Sequence, residues 1–168
     1  MASNFFWKLS ISGDEDKGLN SLVTFWGFDV SAPFVWAAKH VAHITVTTLN
    51  VINFDISLKP ENVLGYANGN AVQVIWACTG LKQAYIFICI IALNHGPWRN
   101  KIWFIPLGLL IIYLFNIFRI ACIAACVENH PDWFNLLHKY ILKYAFYLVI
   151  FFIWVYWEEK IANKKSNQ

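Results

Sequence analysis

The sequence predicts a mainly α fold: a polytopic helical membrane protein with three to four transmembrane helices and a small extracytoplasmic β-hairpin just ahead of Cys78. Three observations lead there. Of 168 residues, 58% are hydrophobic and 18% aromatic, with a positive mean hydropathy, more than a soluble domain of this size can bury. The apolar residues gather into runs, Ala84 to Leu93, Ile102 to Val127 and Tyr144 to Trp157, separated by polar turns. The net charge of +3 is small and scattered, and the basic residues sit at turns and ends instead of forming a stripe. That distribution excludes a nucleic-acid partner and leaves the lipid bilayer as the surroundings.

Taken in order, Met1 to Ser10 lack a basic start, a sustained apolar centre and a small-residue cleavage site, so no removable signal peptide is expected. Ile11 to Ser21 carry Asp14, Glu15, Asp16 and Lys17 between Gly13 and Gly18 and read as an exposed loop. Residues 33–53 form an amphipathic or transmembrane helix. Lys39, His40, His43, Thr47 and Asn50 recur along one side of it, a stripe expected to turn toward other helices or the interface. Residues 55–77 alternate short apolar runs around the turn Asn68-Gly69-Asn70, which predicts a β-hairpin whose second strand runs through Val72, Val74 and Trp76.

Residues 81–157 then supply a three-helix core. Its first helix is short, with room to extend toward Trp98, a span that local thinning of the bilayer tolerates. The second, Ile102 to Val127, would be about 39 Å long and overrun a hydrocarbon core of about 30 Å. Glu128 to Asp132 break it, and a third helix starts near Trp133. Residues 158–168 form a cytoplasmic tail with Lys164 and Lys165, and 1–32 an N-terminal polar segment, all within a single membrane domain. The positive-inside rule places the Arg99/Lys101 turn and this tail in the cytoplasm, with Lys82, Lys139 and Lys143 toward the other side.

This topology carries three chemically distinctive residues to the outer level of the membrane. Cys78 precedes the first core helix, Arg119 lies toward the upper end of the second, and His138 opens the third. An arginine inside the run Phe115 to Ala121 costs roughly 2.5 to 3.5 kcal/mol on insertion scales unless it is paired or hydrated. A thiolate is a suitable partner, because it is the nucleophilic form and a nearby cation favours it. Of the four cysteines, Cys89, Cys122 and Cys126 lie within apolar runs, and none has the spacing of a metal site. No metal and no cofactor are expected.

Ala77-Cys78-Thr79-Gly80, Asn116-Ile117-Phe118-Arg119 and a histidine at the start of the next helix resemble the exosortase/archaeosortase family over roughly Val63 to Trp157. The resemblance implies a membrane-embedded cysteine protease or transpeptidase of a short form. It would cleave the C-terminal sorting signal of secreted proteins through a thioester and transfer them to a surface acceptor. It implies Cys78 as nucleophile, Arg119 as partner of the thiolate or oxyanion and His138 as general acid/base, with Thr79, Gly80 and Asn116 in support. It also implies the bacterial or archaeal cytoplasmic membrane, with the site on the extracytoplasmic face. Thr79 stands where many relatives carry serine, and fewer helices precede the cysteine than is usual in the family.

Plainer readings stand beside these. Cys78 could be a packing cysteine, Arg119 could reach the interface or pair with Glu128, and His138 could cap a helix while His130 takes its place. Asn116, three residues before Arg119, could orient the guanidinium or join two helices. Together they amount to a non-enzymatic membrane scaffold. A membrane endopeptidase using the same residues without transfer is a further alternative.

Overall fold

The computed structural model describes residues 11–12, 24–26 and 28–162. The first ten residues, the acidic loop and Lys164 and Lys165 of the tail therefore lie outside the described residues. Three two-residue strands, β1 (Ile11–Ser12), β2 (Thr24–Phe25) and β3 (Phe28–Asp29), pair antiparallel in that order. Ile11 and Ser12, expected in a loop, are thus paired with Phe25 and Thr24.

Helix α1 (Ser31–Val51) buries Ala38, Val41, Ala42, Thr45, Val46 and Leu49. That spacing of three and four gives one apolar face. Lys39, His40, His43, Thr47 and Asn50 point outward. Of the two expected directions for this stripe, exposure fits the interface, while His40 Nε2 lies 3.0 Å from Tyr113 Oη and Asn50 bonds to Ile56.

The expected hairpin is a three-stranded antiparallel meander, β4 (Ile56–Lys59), β5 (Val63–Tyr66) and β6 (Ala71–Gln73). The Asn68-Gly69-Asn70 turn joins β5 and β6 as anticipated, but β6 stops at Gln73 and Trp76–Cys78 form a 3-10 turn. The additional strand, β4, is anchored to α1 by Asn50: its Nδ2 donates to Ile56 O at 3.2 Å and its Oδ1 accepts from Ile56 N at 3.2 Å.

Helix α2 (Leu81–Leu93) ends at Asn94, which is extended, so it does not continue toward Trp98. Helix α3 (Trp98–Asn129) takes in the turn residues Trp98 to Lys101 and is the one helix among the described residues long and apolar enough by itself to cross a bilayer. Pro131–Trp133, Phe134–Leu136 and the π-helical turn Leu137–Ile141 lead into α4 (Leu142–Trp157), and helical geometry continues through Glu158–Ala162.

Two apolar cores meet along α3. Its first half packs Phe104 and Ile112 against Phe87 and Ile91 of α2 and Phe146, Ile150 and Trp157 of α4. Its second half packs Ile120, Ile123, Ala124 and Val127 against α1 and the meander, through Leu64, Tyr66, Val72 and Val74. Polar bonds fasten both ends. At one, Lys101 is buried, and its ammonium donates to Ala92 O at 2.9 Å and Asn94 O at 2.6 Å. It caps carbonyls at the end of α2. At the other, Asn68 and Asn70 donate from their amides to Glu128 O, and Tyr66 Oη donates to Ala124 O at 2.6 Å. The meander is thereby fixed to the last turns of α3.

Candidate active site

The site lies where the two cores part. Asn116 and Arg119 occupy α3 between Ile112 of one core and Ile120 of the other, and both are buried, at 0% and 6% exposure. A spacing of three puts them on one face of the helix. Asn116 Nδ2 donates to Cys78 O at 2.9 Å. This bond fixes the main chain of the nucleophile candidate against α3, so joining two elements is the role its geometry serves.

Cys78 ends the Trp76–Cys78 turn, and its N–H donates to Ile75 O at 2.9 Å. Thr79 is buried, its hydroxyl donating to Trp76 O at 2.7 Å and locking the same turn. Gly80 follows in the left-handed region, at φ 79. A Cβ there would stand 3.0 Å from Asn116 Cγ. Glycine meets both demands, the backbone sign and the close approach of the Asn116 amide. Trp76 is buried with Phe34 edge-on at 5.7 Å, which seats the turn on α1.

His138 arrives from the π-helical turn. Its Nε2 is 3.8 Å from Cys78 Sγ, and its ring stacks on Phe134 at 5.2 Å. In an unbroken α-helix, residues five apart stand about 140° apart around the axis. A turn bonded i→i+5 brings them nearer to one side. The π geometry therefore sets His138 on the same side as Lys143 and Tyr147.

A cavity of about 530 Å³ collects these groups, lined by Cys78, Arg119 and His138 together with Lys82, Lys143 and Tyr147. Arg119 interacts electrostatically with Cys78 and with Tyr147. Its Nε is buried and has no hydrogen-bond partner among the described residues. His130 lies elsewhere, stacked on Trp133 at 5.5 Å, and does not line the cavity.

Three features escaped the sequence reading as parts of the site. Lys82 and Lys143 entered only as topology markers, and Tyr147 not at all. The i, i+4 spacing of Lys143 and Tyr147 was the available signal. Cys122 and Cys126 remain outside the cavity, Cys122 packing on the core of α1 and the meander. No group of three or more potential metal ligands occurs among the described residues.

Comparison with known proteins adds one finding. A family model described as transmembrane exosortase matches residues 19–156, most of the chain. No curated protein and no solved structure matches it.

Proposed function

The chain belongs to the transmembrane exosortase family and is a mainly helical membrane protein, and from that premise we propose that it is a cysteine transpeptidase acting on the C-terminal sorting tails of secreted proteins. One observation carries the proposal: Cys78, Arg119 and His138, drawn from three separate elements, line one cavity.

In the proposed reaction, His138 Nε2 accepts the thiol proton as Cys78 Sγ attacks a backbone carbonyl of the tail. Arg119 meets the oxygen as it becomes negative, a use that its place in the cavity wall beside Cys78 favours. Collapse breaks the C–N bond, the departing amine takes the proton from His138, and a thioester remains. An incoming amine gives up a proton to His138 and attacks the thioester. The new amide forms, and Cys78 leaves as the thiol. Water in place of the amine would give hydrolysis. Asn116, Thr79 and Gly80 hold the turn that presents the sulfur.

The membrane is proposed to be the bacterial or archaeal cytoplasmic membrane, crossed by α2, α3 and α4, with the cavity on the extracytoplasmic side. Arg99 near the start of α3 supports that orientation, being at the opposite end of the helix from Arg119. The test is to trap the acyl-enzyme and offer amines. Cys78→Ala should accumulate uncleaved substrate, and the unsubstituted protein should form a thioester that amines resolve to amides. Cleavage that survives Cys78→Ala excludes the mechanism, and thioester resolved by water alone reduces it to an endopeptidase.

A further inference from the structure

Strands β4, β5 and β6 follow one another in the sheet as in the chain, so β4 and β6 each present one outer edge. Two hydrogen bonds fix the phase of the β5–β6 ladder: Tyr66 N donates to Asn70 O at 3.0 Å, and Val74 N donates to Asn62 O at 3.0 Å. With Leu64 opposite Val72, the alternation of an antiparallel pair makes 62/74, 64/72 and 66/70 the bonded pairs. Ala71 and Gln73 therefore turn their N–H and C=O groups away from β5. Among the described residues no backbone group pairs with them on that side. Both residues are exposed, while Val72 between them is buried and anchors the strand in the core.

The other edge is different. The same alternation leaves Ile56 and Leu58 facing outward on β4, and at Ile56 the Asn50 amide occupies both the N–H and the C=O. Proteins ordinarily cover or blunt an open strand edge because it invites a further strand. Here β4 is the edge capped in part from within, at Ile56. The open one runs on through Ile75, which lines the cavity, to Cys78.

We infer that β6 is the docking strand for the substrate: the tail adds as a fourth strand along Ala71–Gln73, bonded to their main-chain groups, and so reaches Cys78 extended. This rests on Cys78 being the nucleophile. Its ligand class is an extended polypeptide held through its backbone, a mode that tolerates varied side chains along the paired stretch.

Binding is measured apart from chemistry. Cys78→Ala protein in detergent is titrated with a synthetic tail peptide carrying a short motif, one apolar helix and a basic cluster. The peptide is used plain and N-methylated at successive amides ahead of the helix. Loss of binding should recur at every second amide. Proline is tolerated at a strand edge where the N–H faces outward, so Gln73→Pro should weaken binding roughly tenfold, the scale of one lost main-chain bond, and Ala71→Pro by less. Gln73→Leu, which loses only the side-chain bond to Glu61 O, should bind as before. Iodoacetamide should alkylate Cys78 at an unchanged rate in proline variants that retain the cysteine, showing that the site survives. Should those variants fail to fold, the N-methyl scan on otherwise unsubstituted protein decides. A flat scan, or one without the two-residue period, overturns the docking strand. A two-residue period in a protein that never forms a thioester would leave the strand standing and overturn the chemistry instead.

Discussion

Cys78 Sγ and His138 Nε2 stand 3.8 Å apart although 60 residues of chain separate them. The contact joins a 3-10 turn ahead of α2 to a π-helical turn ahead of α4, so neither partner owes its position to its own helix. If the imidazole takes the thiol proton, His138→Ala should slow alkylation of Cys78 by iodoacetamide at neutral pH and lower turnover by roughly a hundredfold to ten-thousandfold. His130→Ala, on the ring stacked against Trp133, should leave both rates unchanged. Equal rates for all three proteins would remove the base from the scheme.

Arg119 gives a different signature. A group that meets charge in the transition state acts on turnover more than on binding. Arg119→Met should therefore reduce kcat by about a hundredfold or more with a smaller change in KM. Arg119→Lys should recover only part of that loss, because a lysine keeps the charge but not the planar fork. The measurement is steady-state cleavage of a tail peptide, and a change confined to KM would reassign Arg119 to substrate binding.

The parts of this site that were legible in the sequence are those whose chemistry contradicts their surroundings. Arg119 within Phe115 to Ala121 has to be explained, and Cys78 beside Gly80 marks a turn in a chain otherwise committed to helices. The meander was half legible: Asn68-Gly69-Asn70 announces its turn, whereas β4 depends on Asn50, contributed by a helix, to complete its edge. The π turn left no trace, because nothing in Leu137 to Ile141 taken locally distinguishes i→i+5 bonding from i→i+4. Tertiary demands set it, with Phe134 and Leu137 packed on one core and Phe146 in the other. The stripe of α1 left its direction open for a similar reason. Thr47 is satisfied locally by His43 O, whereas His40 meets Tyr113 and Asn50 meets Ile56, partners that the helix alone does not reveal.

Gly80 and Asn116 form a coupled pair. Gly80→Ala places a side chain in the left-handed region, at roughly 1–2 kcal/mol, and 3.0 Å from Asn116 Cγ. The amide must yield, and with it the bond to Cys78 O. Thermal unfolding in detergent should show the loss of stability, and turnover should fall with it. In Asn116→Ala protein the steric part disappears, so the added cost of Gly80→Ala should be smaller there. Full additivity of the two substitutions would show that they do not communicate.

Tyr66 ties the meander to α3 through Ala124 O and is buried at 5% exposure. Burial, with Glu128 adding to it, pushes its phenol well above the ordinary value of 10.0. The folded protein therefore keeps the proton at a pH where the unfolded chain releases it. The unfolded state binds fewer protons above about pH 10, so stability falls as pH rises past that point and is undiminished below it. Tyr66→Phe should cost roughly 1–2 kcal/mol at neutral pH, since Ala124 O loses a buried donor, and should flatten the alkaline decline. Denaturant midpoints for the two proteins, compared between pH 8 and pH 11, would check both effects. A Phe variant that declines as steeply as the parent would place the alkaline sensitivity on another group.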